Sequence, residues 1–376
     1  MLKVGIVGCG KIADDHCSQI QRIKRCEIVG ACDRELLMAR QLSERFSCKA
    51  QYSDLTKMLS QAKPDVVHVC TPPESHFAIT KKCLEAGCHV YVEKPFALCV
   101  DEARTLIATA KRNGLKITAG HDDQFRHVAR RMRALVQDGY LGGGPVHMES
   151  YYCYDLGGSR YAKAILADKH HWVRKLPGKL LHNIISHGIA RIAEFLTGDS
   201  CEVIASGFTS PGLRSKGESE IIDELRVIIC DQECATAYFT FSSQMRPALH
   251  QFRIYGEKNG LILDQDQETL VRLRGKMFVS YAEKFIPPVN FARQYLGNLG
   301  TNLRTFLARD FHMKSGMKYL IESFYRSILE GTPEPIPYRE ILLTTQIMDA
   351  IFAQLNEHHQ GLQVPLQLMR PSALAK

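Results

Sequence analysis

No apolar run in the 376 residues approaches the roughly 20 that a bilayer crossing needs, so a spanning helix is excluded. The opening stretch from Met1 to Gly10 has no basic flank and no cleavage pattern, which leads us to expect a cytoplasmic protein without a secretory leader. Charge never gathers into blocks: the net charge of +8 is spread along the chain, so neither nucleic acid nor a membrane surface is implied. Repeats and low-complexity tracts are missing, which removes solenoids and linker arrays. Cysteine is plentiful at 13, yet the count is odd and the closest pair, Cys230 and Cys234, misses the two-residue gap of zinc and redox motifs. Reduced thiols and no metal are expected.

What is present is an ordinary globular balance, 45% hydrophobic and 23% charged, over a length that suits two domains. Short apolar runs at Lys3–Val7, Glu27–Cys32, Val66–Cys70, His89–Val92 and Lys116–Ala119 read as strands. Helical periodicity lies between most of them, at Ile12–Ile23, Glu35–Phe46, Asp54–Gln61, Ser75–Ala86 and Val100–Arg112, with Ser53 and Asp101 as candidate caps and Gly87 and Gly114 as stops. Alternating strand and helix predict a doubly wound parallel sheet over residues 1–122. From 123 to 376 the rhythm changes. A helix at Val128–Gln137, a strand from Val146 and several turn-linked strands from Cys201 to Leu273 predict a second domain, for substrate and oligomer contacts, on a largely antiparallel open sheet. Residues Tyr281–Lys314 give no clear pattern, and helices at Tyr319–Glu330 and Glu340–Asn356 close the chain.

The first motif with chemistry in it is Gly8-Cys9-Gly10-Lys11-Ile12-Ala13, a G-x-G-x-x-A dinucleotide fingerprint between a predicted strand and a predicted helix. Glycines there let backbone N–H groups approach a pyrophosphate. Asp33, 23 residues beyond Gly10, ends the second strand where a carboxylate accepts from ribose hydroxyls. A carboxylate repels the 2′-phosphate of NADP while Arg34 attracts it, so NAD is expected and NADP remains possible.

Together with Val69-Cys70-Thr71-Pro72-Pro73, His76, Glu93-Lys94-Pro95, Asn183 and His187, the chain resembles the Gfo/Idh/MocA oxidoreductases, the glucose-fructose oxidoreductase and inositol dehydrogenase family. The resemblance implies a Rossmann domain in which Gly8, Gly10, Lys11, Ile12, Asp33, Arg34, Thr71, Pro72, His76, Glu93 and Lys94 surround the dinucleotide. It also implies that Lys94, which can follow a cis bond into Pro95, orients the reacting hydroxyl and stabilises developing alkoxide. His187 is then the general acid/base, and Asn183, where many relatives carry aspartate, can orient but not exchange a proton.

Read as one helix, Lys179, Asn183 and His187 share a stripe, so Lys179 is a candidate substrate contact, while His182 is offset and structural. Gln124, where relatives often carry arginine, and the lone Trp172 are further candidates. Basic residues from Arg160 to Lys179, among them Lys163, Arg174 and Lys175, suggest a cationic mouth for an anionic sugar. The expected activity is hydride transfer at a secondary alcohol or ketone of a sugar, polyol or nucleotide sugar. Two alternatives stay open: a redox-neutral sugar lyase, isomerase or glycosidase that retains NAD, and a non-catalytic NAD-binding regulator. An open sheet needs covering, so a homodimer or homotetramer is expected.

Overall fold

The structure is a computed structural model and describes residues 1–154, 160–232, 235–275, 278–279 and 281–361. Cys234 and the side chains of 160–163 and 358–361, which include those of Arg160 and Lys163, lie outside the described residues.

The first sheet is built from β1 (Leu2–Val7), β2 (Cys26–Cys32), β3 (Gln51–Tyr52), β4 (Val66–Val69), β5 (His89–Val92) and β6 (Ile117–Ala119), all parallel, in the order β3-β2-β1-β4-β5-β6. The chain reverses its direction of sheet growth between β1 and β4, so the loops after these strands diverge and leave a crevice at their carboxyl ends. Helices α1 (Lys11–Ile20), α2 (Leu36–Phe46), α3 (Leu55–Ala62), α4 (His76–Glu85) and α5 (Val100–Arg112) make the crossovers. Gly87 and Gly114 take positive φ just past α4 and α5, as stops should. The expected caps are corrected. Asp54 rather than Ser53 caps α3, its carboxylate accepting from Lys57 N at 2.8 Å, and Asp101 lies inside the first turn of α5 with Cys99 at the cap position.

The second half adds α6 (His127–Gln137), β7 (Pro145–Cys153), α7 (Arg160–Ala167), α8 (Lys179–Ile184), α9 (Ser186–Ala193), β8 (Cys201–Phe208), α10 (Pro211–Arg214) and strands β9 (Glu224–Asp231), β10 (Thr236–Ser242), β11 (Leu249–Gly256), β12 (Asn259–Asp264) and β13 (Thr269–Arg274). Its seven strands run β13-β12-β11-β7-β10-β9-β8 and are antiparallel except for β7 beside β10, so the sheet is mixed. One face is buried. The other leaves Ile204, Phe208, Ile228 and Tyr238 exposed.

Three helices follow: α11 (Ala282–Leu307), α12 (Ser315–Glu330) and α13 (Tyr338–Gly361). The segment without a legible pattern is thus one 26-residue helix, disguised by Pro287 and Pro288 inside it, which ordinarily end a helix. Helix α12 does not stay with the second sheet. Its Met317, Leu320, Ile321, Phe324 and Tyr325 are buried in the same core as Val4, Val67 and Tyr91 of the first. Late residues therefore complete the early core. Replacing the fully buried Phe324 with alanine should cost about 3–5 kcal/mol, read by urea denaturation. A loss under about 1 kcal/mol would mean that α12 is dispensable to that core.

Candidate active site

Site residues gather where β1, β4, β5 and β6 end. After β1, Gly8 has φ +86°, and a Cβ on it would stand 2.8 Å from Thr71 N, so only glycine lets the two loops close. Gly10 is the N-cap of α1, and a Cβ there would meet nothing within 4 Å. The first N–H groups of a helix lack intrahelical partners, so this opening is a cradle for a pyrophosphate. Lys11, at the first helical position, is exposed and Ile12 packs on the core. The Asp33 carboxylate is fixed by Cys9 N (2.8 Å) and Glu35 N (2.9 Å), which leaves each oxygen a further lone pair, while Arg34 is exposed beside it. These residues fit a dinucleotide.

At the end of β4, Thr71 accepts a hydrogen bond from Ser75 and Pro72 is exposed. His76 is corrected: it is fully buried, its two ring nitrogens lying 2.8 Å from the carbonyls of Thr71 and Pro95. It clamps two loops together instead of facing a ligand. Carbonyls only accept, so bonding both requires a proton on each ring nitrogen; burial pulls the pKa down while the two carbonyl bonds pull it up.

Lys94 follows β5 and precedes Pro95 through a cis bond. Its ammonium donates to the main-chain carbonyl of Asn183 at 2.8 Å. Burial lowers its pKa, and Glu93, Asp122 and Asp123 oppose that shift. The contact with position 183 is thus made by backbone, indifferent to whether an amide or an acid stands there. Glu93 is itself buried. Burial raises its pKa, but the hydrogen bond and charge of His16, with Lys94, prevail and hold it at about 2.

The helix expected across 179–187 is broken. Helix α8 stops at Ile184 and α9 starts at Ser186, which puts His187 in the site and Lys179 out of it. Lys179 has φ +47° and donates to the Glu220 carbonyl, in a pocket with Phe352, away from Lys94. Arg174 pairs with Glu218 at 2.6 Å, so part of the proposed cationic mouth is neutralised. Trp172 packs on the second core with its ring stacked on His171. Gln124 is buried, donating to Ala190 O and Glu194 Oε2, both at 3.1 Å; it ties the β6 loop to α9. His182 stacks on Phe352 as a structural residue.

Two site residues were not legible in the sequence. Asp122 and Asp123 follow β6, with Oδ1 and Oδ2 respectively 3.9 and 3.8 Å from His187 Nδ1. Burial lowers the His187 pKa, Asp123 raises it and Lys94 lowers it again, to about 4. Burial and the neighbouring Asp123 and Glu93 push Asp122 up to about 7. Burial also acts on Asp123, but His187, Arg191 and Gln265 hold it below the usual carboxylate range, and Tyr152 donates to it at 2.8 Å. Near neutrality Asp122 is therefore the member of this group that gains and loses a proton. Donor atoms of Asp122, Asp123 and His187 all lie within 4.8 Å of one another, a grouping of metal-ligand types that sequence spacing could not reveal because folding assembles it.

Beneath Lys94 runs a buried chain. Glu93 Oε1 meets His16 Nε2, His16 Nδ1 meets His68 Nδ1, and His68 Nε2 meets the Tyr325 hydroxyl, each at 2.8 Å. Two proton orders keep both imidazoles bonded throughout: donation from Tyr325 through both rings to Glu93, or a charged His16 that donates in both directions. The last link comes from α12. Removing it by Tyr325→Phe should cost about 1–3 kcal/mol of stability, since it strands His68 Nε2 in the core. An unchanged denaturation midpoint would show that the link carries nothing.

Residues 2–121 match the family model described as the oxidoreductase family with an NAD-binding Rossmann fold. Over these residues the chain is similar to the Gfo/Idh/MocA oxidoreductases. D-glucoside 3-dehydrogenase of Escherichia coli is 37% identical over 142 residues, 38% of this chain and 40% of that protein. UDP-N-acetylglucosamine 3-dehydrogenase of Acidithiobacillus ferrooxidans is 28% identical over 149 residues, 40% of this chain and 44% of that one. Each sequence match thus spans less than half of the relative. The fold likeness is longer: an oxidoreductase from Agrobacterium radiobacter, solved with NAD+, L-tartaric acid and magnesium, superposes with TM-score 0.73 at 14% identity over 94% of this chain and 96% of its own. Both halves of the chain thus share the fold of that structure, a Rossmann sheet followed by a mixed one.

Proposed function

We propose that the chain is an NAD-dependent dehydrogenase or reductase acting on a CH–OH group of a sugar, polyol or nucleotide sugar. The observation that carries this reading is the convergence of Lys94, His187 and Asp122 beside the Gly8–Gly10 cradle. Gly8, Gly10, Lys11, Asp33 and the Thr71-Pro72 turn hold the dinucleotide, and Asp33, with both oxygens fixed by main chain, favours NAD over NADP. When bound, the nicotinamide accepts or returns a hydride at the carbon bearing the hydroxyl.

The protein's part is positioning and proton transfer. Lys94 donates to the reacting oxygen and stabilises negative charge as it develops there. In oxidation the substrate O–H proton passes to His187 Nε2, and Nδ1–H, 3.9 Å from Asp122, gives its own proton to ionised Asp122 once the pair closes to hydrogen-bond distance; reduction reverses both moves. His187 stays neutral at rest and relays, while Asp122 is the group whose charge changes near neutrality. Asn183 contributes its carbonyl, which keeps the ammonium aimed. The exposed sheet face would be covered in a homodimer or homotetramer. The sugar class rests on relatives that act on glucosides and nucleotide sugars.

The first test is release of nicotinamide dinucleotide from denatured protein, with native protein screened at 340 nm against sugars, inositols and nucleotide sugars. His187→Ala and Lys94→Ala should each lower kcat by about 10²–10⁴-fold. Full activity in either, or no binding of NAD(H) or NADP(H), would sink the reading. Oxidation needs Asp122 ionised, so its kcat should rise through about pH 7 and plateau, reduction should fall above that pH, and Asp122→Asn should abolish the inflection. Replacing Asp33 with alanine should shift the NADP-to-NAD ratio of kcat/KM upward by about tenfold or more; no shift would mean that cofactor choice is made elsewhere.

A further inference from the structure

Helix α11 is amphipathic the wrong way round. Its amide side chains at Gln294, Asn298 and Asn302 face the second sheet and take over hydrogen bonding at its edge. Gln294 accepts from Arg272 N and donates to Arg272 O, Asn298 does the same for Leu270, and Asn302 donates to Gln267 O. Edge strand β13 is thereby capped by polar side chains spaced four apart.

The apolar residues point outward. Val289, Ala292, Leu296, Leu299, Leu303 and Phe306 alternate steps of three and four, the 3.5-residue period of a coiled-coil seam. The five larger ones stand 52–68% exposed, and Phe285, Tyr295 and Leu307 flank them at 52–79%. Such a stripe is far beyond the scattered apolar residues of an ordinary surface.

We propose that this seam pairs with α11 of a second copy, running antiparallel about a two-fold axis near Gln294. The side-chain sizes choose the direction. Antiparallel pairing sets Val289 against Leu299, small Ala292 against Leu296, Phe285 against Leu303 and Phe306 against small Ala282, so each alanine meets a large residue. Parallel pairing would stack Ala292 on itself, leaving a hole, and crowd Phe306 against its copy. A bilayer surface suits the helix less well, because its polar face is already spent on β13 and cannot present a basic face to headgroups. The contact is separate from the open sheet face, and two different isologous contacts on one chain close into a tetramer.

The test uses the full chain. Sedimentation velocity should give half the native mass for Leu296→Glu/Leu299→Glu, with unchanged circular dichroism, because both residues are exposed in the single chain. For direction, Val289→Cys/Leu299→Cys should form an oxidised dimer beyond any seen with the unsubstituted protein, whereas Leu299→Cys alone should not, its two copies lying about 15 Å apart along the axis. An unchanged mass in the glutamate variant, cross-linking of Leu299→Cys alone, or a monomer that co-sediments with phosphatidylserine vesicles would each overturn the proposal.

Discussion

The Lys94 ammonium sits at the junction of the two halves of the chain, half-buried, held by the Asn183 carbonyl on one side and the charges of Glu93, Asp122 and Asp123 on the other. A buried cation is costly unless it is paired and hydrogen-bonded, and each partner comes from a different place: the end of β5, the loop after β6, and the last turn of α8. Moving any of these elements would strand charge in the interior. That requirement fixes the first sheet against the second more tightly than apolar contact alone would, because the electrostatic terms are directional.

The same constraint arranges the protons. Two adjacent carboxylates cannot both be comfortably ionised next to Glu93, so they divide: Asp123 takes the arginine, the tyrosine and the histidine, and Asp122 takes the proton. His187 is left as a neutral conduit between cavity and carboxylate. Below, the Glu93–His16–His68–Tyr325 chain keeps the carboxylate next to Lys94 ionised, so the field at the ammonium is set by residues on three separate elements.

Residues with a role written into a local pattern were legible. Gly8, Gly10 and Asp33 are announced by strand–turn–helix spacing, and Lys94 by its neighbours Glu93 and Pro95. What folding assembles was not legible. Asp122 looks like any polar residue after a strand, His16 and His68 lie 52 positions apart on a helix and a strand, and Tyr325 arrives from near the end of the chain. The error over Lys179 has a different source: helical periodicity assumes an unbroken helix, and the sequence carries no proline or glycine at Ile185 to signal the break. Helix α11 escaped because Pro287 and Pro288 interrupt it, although its apolar residues from Val289 onward keep a helical period.

The insertion of α12 into the first core has a consequence for biosynthesis. The strands it covers are made first, and nearly 200 residues separate β6 from that helix. At about 5–20 residues per second the ribosome needs roughly 10–40 seconds to deliver it, far longer than strand pairing or collapse takes. During that interval the nascent sheet presents the groove that Phe324 and Tyr325 will fill, an apolar surface open to chaperones and to neighbouring polysomes. Output of native protein should therefore depend on how well the cell shields an unfinished N-terminal half.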